Sequence, residues 1–102
     1  MFKFINLTPH TININETILE SEGVCRCKEK IEVIGNIGGI DIIVKEYGDV
    51  EGLPEYQENV CYIVSVIIAM AVQGKRHDCF VPGETIRDEQ GIIVGCKNLA
   101  QI

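Results

Sequence analysis

The chain has no tryptophan, three phenylalanines, three tyrosines and three prolines in 102 residues. With so few aromatics, a core has to be assembled from branched aliphatics, and the 17 isoleucines supply them. Scarce proline together with 46% hydrophobic residues excludes a disordered or low-complexity chain. Basic residues are also short: 9 Lys and Arg stand against 15 Asp and Glu, a formal charge of −6. That balance argues against a long nucleic acid as partner, since such proteins carry a basic stripe. A small anion held by two or three local arginines remains compatible with it. The longest apolar run, Val60 to Val72, covers 13 residues, short of the roughly 20 needed to cross a membrane. Met1 to Asn6 turns polar too soon for a secretory leader. These absences predict a single globular domain over residues 1–102, with no membrane partner, in the cytoplasm.

Cysteine is the one abundant oddity: Cys25, Cys27, Cys61, Cys79 and Cys96. Without a secretory leader these read as reduced, mostly buried thiols acting as small hydrophobes. Zinc held by Cys25-x-Cys27 and His77-x-Cys79 fits poorly, because structural zinc motifs space their cysteines by two to four residues. No metal or cofactor is expected.

Alternation at Phe2, Phe4, Ile12 and Ile14 has strand periodicity, interrupted at Pro9, which cannot donate to a ladder. Asn15-Glu16-Thr17 can turn the chain, and Val24 to Val33 alternates again. Ile31–Ile34 and Ile40–Val44 flank the glycines of Gly35–Gly39, predicting a β-hairpin with a four- to five-residue loop. Tyr47-Gly48-Asp49 and Gly52-Leu53-Pro54 read as turns. Val60–Val64 has the β-branched content of a buried strand. Ser65 can cap a helix over Val66 to Gln73, with Gly74 as its left-handed stop. Cys79–Pro82 and Ile92–Lys97 are further strands. The sum is an α+β domain: a compact, barrel-like, mostly antiparallel sheet of about six or seven short strands with one short helix.

Polar chemistry gathers in three places. Asn6, Thr8 and His10 share the parity of Phe2 and Phe4, so they form either a polar floor for a ligand or a set of loop-satisfying side chains beside Pro9. Arg76 and Asp78 form either a structural ion pair at a helix-to-strand corner or a fork for phosphate with an acceptor for ribose or base. Pro82-Gly83 turns the backbone beyond that corner. Arg87-Asp88 begins a polar turn that is either solvated or a second phosphate contact. The candidate ligand-binding set is therefore Asn6, Thr8, His10, Arg76, Asp78, Pro82 and Arg87, with no assembled catalytic constellation.

Asn6-Leu7-Thr8-Pro9-His10, Tyr47-Gly48, Gly52-Leu53-Pro54, Tyr62-Ile63-Val64-Ser65, Arg76-x-Asp78-x-x-x-Pro82-Gly83 and Arg87-Asp88-x-x-Gly91-x-x-x-Gly95-Cys96, in that order, resemble a family of small proteins of tailed phages and prophages. The resemblance implies a viral accessory protein in the host bacterial cytoplasm. By analogy with such proteins, the expected role is counter-defence: sequestering a small nucleotide-derived immune signal, without catalysis, as a homo-oligomer. A protein–protein inhibitor of a host factor or a small structural phage protein is the alternative. A small phosphodiesterase acting on a cyclic nucleotide, with His10 as acid or base, is a further one.

Overall fold

A computed structural model of the chain describes residues 2–102. Ten strands and one helix follow in the order β1 (Lys3–Asn6), β2 (Ile12–Ile14), β3 (Thr17–Leu19), β4 (Arg26–Ile37), β5 (Ile40–Glu51), β6 (Val60–Ile63), α1 (Val66–Ala71), β7 (Cys79–Pro82), β8 (Thr85–Arg87), β9 (Ile93–Cys96) and β10 (Leu99–Ala100). One helix among mostly strands is an α+β chain. The strands form three sheets: β1-β6-β7-β10, β3-β2-β9-β8, and the pair β4-β5.

A closed barrel is not found: the strands sort into two separate four-stranded orders, linked between β1 and the segment after β3 only by an isolated bridge of Asn6 with Ser21. Antiparallel pairing prevails among the described residues, in β7 with β10, β2 with β3, β8 with β9 and the long β4–β5 pair. Within the two four-stranded sheets it is mixed, since β1 with β6, β6 with β7 and β2 with β9 run parallel. The reason lies in the connections. Ser65 and α1 carry the chain from β6 to β7, a crossover that delivers the next strand in the same direction.

The core is built where β6 meets the helix. Tyr62, Val64, Ile68, Ala69, Cys79 and Val81 are buried together with Leu7 and Cys25. Ser65 caps α1 by accepting from the Ile68 amide at 3.5 Å, and Gly74 at φ 78° takes the left-handed position beyond it. The helix is shorter than Val66–Gln73, ending at Ala71.

β4 and β5 depart furthest from expectation. The Gly35–Gly39 stretch is not a loop of four or five residues. β4 runs through Ile37, β5 starts at Ile40, and only Gly38 and Gly39 turn, at φ 58° and 86°, as a two-residue primed turn requires. Nor is Tyr47-Gly48-Asp49 a separate turn; it lies inside β5, where the pairing shifts register between Cys27 and Glu29. The result is an arm of two 12-residue strands, about 40 Å long at 3.4 Å per residue. It makes the molecule 51 × 40 × 21 Å with a radius of gyration of 16.4 Å, against about 13 Å for a compact chain of this length. Compactness is therefore corrected along with closure.

Candidate functional site

Asn6, at the end of β1, is fully buried. Its Nδ2 donates to the carbonyls of His10 (2.7 Å) and Leu19 (2.9 Å). Its Oδ1 accepts from the Thr8 amide (3.0 Å) and the Thr8 hydroxyl (2.7 Å). Two donors and two acceptors exhaust an asparagine side chain. Asn6 and Thr8 thus fold the turn that Pro9 imposes, while Pro9 and His10 stand exposed.

Arg76 and Asp78 also face each other. Nε reaches Asp78 Oδ1 at 2.9 Å, Nη2 reaches Oδ2 at 2.7 Å, and Nη2 also donates to the Pro54 carbonyl at 2.9 Å. This bidentate fork ties the β7 corner to the loop after β5. Burial alone would raise the Asp78 carboxyl; the Arg76 hydrogen bonds and charge outweigh it and hold it below its ordinary value. The neighbouring Cys79 thiol, buried and beside that carboxylate, is pushed up to about 11. In the parallel register Asn6 is level with Ile63 and so with Phe80, whereas Asp78 precedes β7. The Asn6–Thr8 turn and the Arg76–Asp78 corner therefore lie toward opposite ends of this sheet.

Of the remaining candidates, Pro82 lines a different feature, a cleft of about 400 Å³. Ile12, Asn13 and Ile18 form one wall, Thr85 and Ile93 the other, and Pro82 stands at its side. His10 precedes Thr11, which also lines it. Arg87 does not line the cleft but pairs with Ile93, which does. Its Nη1 donates to the Gly91 carbonyl at 2.7 Å, and the exposed side chain keeps its other donors toward water. Asp88 is committed to the same turn, its Oδ1 accepting from the Gln90 and Ile92 amides.

Asn13 was not among the sequence candidates, yet it is the most informative group in the cleft. Its Oδ1 is the one buried side-chain oxygen or nitrogen without a hydrogen-bond partner among the described residues. Such an atom carries a desolvation cost of about 1–3 kcal/mol. Asn13 pairs with Ile18 across the β2–β3 ladder, so both side chains share the cleft face. Gly95 on β9 allows the close approach behind it: a Cβ there would sit 2.8 Å from the Asn13 carbonyl oxygen. An aliphatic groove with one amide head and two threonines, and a cation on the strand pair that supplies one wall, is suited to a flat, partly apolar molecule with hydrogen-bonding edges.

Among the described residues no helix is long and apolar enough to cross a membrane. No known protein family, characterised protein or solved structure matches the chain.

Proposed function

We propose that this protein is a binding module for a small nucleotide-type ligand, which it holds without transforming. The base lies in the cleft with its edge on the Asn13 amide, and phosphate meets Arg87. The unpartnered Asn13 Oδ1 carries this reading. An asparagine amide offers a donor and an acceptor side by side, the pattern complementary to a purine edge. The aliphatic walls suit the faces of a base, and about 400 Å³ falls within the range of small-ligand sites. The resemblance to tailed-phage proteins extends the reading to counter-defence, with the ligand a nucleotide-derived immune signal removed from circulation in the host cytoplasm.

Titration calorimetry with adenine nucleotides, cyclic dinucleotides and cyclic ADP-ribose isomers tests it. One of these should bind, and it should be recovered intact when the complex is denatured. Asn13→Ala and Arg87→Ala should each weaken binding roughly tenfold or more, about 1.4 kcal/mol. Binding untouched by both substitutions, or no binding by any of these compounds, would sink the proposal. Recovery of a cleaved product would favour the phosphodiesterase reading instead.

A further inference from the structure

The β4–β5 arm and helix α1 carry an unmet demand of a different kind. The distal arm, Val33 to Val44, contains seven branched aliphatics, and its only charged residue is Asp41, which is bonded to Asn36 at 2.9 Å. All seven are exposed, up to 70% at Ile37 and 69% at Ile40 on the tip. Direct pairing of Ile37 with Ile40 and of Gly35 with Ile42 puts Ile37, Ile40, Ile42 and Val44 on one face. A two-stranded ribbon alone in water is marginal. An uncharged, β-branched one with two open edges invites pairing with another chain.

Helix α1 has a matching surface. Its sequence, VIIAMA, has no polar residue, and a helix apolar all round belongs in an interior. Ile68 and Ala69 face the core, but Val66, Ile67 and Met70 are exposed, Met70 at 59%. Ile67, Met70 and Ala71 form an apolar groove with Tyr47 at the root of the arm. The arm cannot fill the groove of its own chain, because Ile40 lies seven residues from Tyr47 along a continuous strand, about 24 Å away.

We infer that the occupant of these surfaces is a second copy of this chain. The arm of each protomer lies across its partner, its apolar tip against the partner's α1–Tyr47 groove, in a two-fold arrangement. Three observations support a copy of the same chain. The projecting element and its receptacle occur on one molecule, which is the self-complementarity an isologous interface requires. The distal arm and the helix face together expose ten large apolar side chains, seven on the arm from Val33 to Val44 and Val66, Ile67 and Met70 on the helix, and an apolar surface of this kind marks a protein contact. Asp41 is the one charged side chain on the tip, so the acidic charge of the chain is not concentrated at the contact. The inference is independent of the cleft, which neither element lines.

Sedimentation equilibrium of the purified full chain is the test. The wild type should be dimeric. Ile37→Lys with Ile40→Lys on the tip, and separately Met70→Glu on the helix, should each weaken the dimer roughly 30-fold or more with unchanged far-ultraviolet circular dichroism. Mixing the two variants should restore a dimer, because tip and groove are each intact in one chain. A wild type that stays monomeric overturns the inference, as does a dimer insensitive to both variants. Failure of the mixture to associate overturns the arm-to-groove pairing. A monomer whose arm is covered only by a different protein overturns it as well.

Discussion

Replacing Arg76 by alanine removes a guanidinium that is 22% exposed and leaves a carboxylate that is 4% exposed. The two losses are unequal. Without Asp78, the Arg76 head can turn toward water; without Arg76, Asp78 is fixed in the wall of the core beside Cys79 with its principal partner gone. Removing one member of a buried pair costs about 3–5 kcal/mol. The partial exposure of Arg76 admits some water, so Arg76→Ala should cost about 3 kcal/mol and Asp78→Ala about 1–2. On a domain near 100 residues, 3 kcal/mol lowers Tm by roughly 12 °C or more. The pH dependence separates this account from simple loss of packing. In the wild type the Asp78 pKa is depressed, so its contribution is present above the ordinary carboxylate value near 3.8 and is lost only as pH falls through the depressed folded value. In Arg76→Ala the hydrogen bonds and charge opposing burial disappear, so the folded pKa should rise above the unfolded one. The carboxyl then takes up a proton more readily in the folded state, and the penalty should shrink as pH falls from 7 toward 5. Urea unfolding at the two pH values measures it. A penalty under about 1 kcal/mol, or one that grows on acidification, would refute the reasoning.

Asn6→Ala should cost about 2–3 kcal/mol in chemical denaturation, since it removes the partner of the buried Thr8 amide and of the partly buried His10 and Leu19 carbonyls. Asn13→Ala should do the reverse to the ligand-free protein, leaving stability unchanged or raising it by up to about 1 kcal/mol, because it deletes an unpaired buried oxygen. A loss above 1 kcal/mol would show that Asn13 is structural after all. A thiol reagent at pH 8 should modify Cys27 and Cys61 in the native protein. Cys25, Cys79 and Cys96, all buried, should react only on unfolding. Cys79 adds a chemical barrier, its thiol staying protonated with a pKa of about 11. Native labelling of Cys79 at the rate of Cys27 would contradict the placement of β7 in the core.

Local chemistry was legible in the sequence where one residue type decides the backbone. Ser65 as cap, Gly74 as stop and the bounds of Cys79–Pro82 are of this kind. So is the choice offered at Asn6 and Thr8, where the observed hydrogen bonds follow the loop-satisfying branch. The β2–β3 turn at Asn15 and Glu16, both with positive φ, was readable too. What the sequence hid is long-range. The Gly35–Gly39 stretch looks like a loop because two glycines in a row mark a turn, but Gly35 merely follows the register shift at Val33 and lies within a strand. Parity in Ile12-Asn13-Ile14 assigns the isoleucines inward and Asn13 to solvent. All three residues of β2 are half-buried, so neither face of this strand is left to bulk solvent, and Asn13 lines the cleft.

The polar residues of this chain divide by whether their hydrogen-bonding capacity is met inside the fold. Asn6, Thr8, Arg76, Asp78 and Asp88 drew notice for their chemistry, and each is bonded to the chain that carries it. A group so engaged must break those bonds before it can hold a ligand, at a cost near what the ligand would return. Arg87 has given one donor to Gly91 and keeps the rest, and Asn13 Oδ1 has no partner. Asn13 lines the cleft, and Arg87 pairs with Ile93, which also lines it, so a ligand there would meet groups whose capacity the fold has left unused. The same distinction holds among apolar groups. Ile63 and Val64 are fully buried within the chain, whereas Ile37, Ile40 and Met70 remain open. The polar and the apolar deficits fall on different elements, β2–β3 with β8–β9 for one and β4–β5 with α1 for the other. Ligand capture and self-association can therefore be abolished separately: Asn13→Ala should leave the dimer intact, and Ile37→Lys with Ile40→Lys should leave a monomer whose cleft still binds.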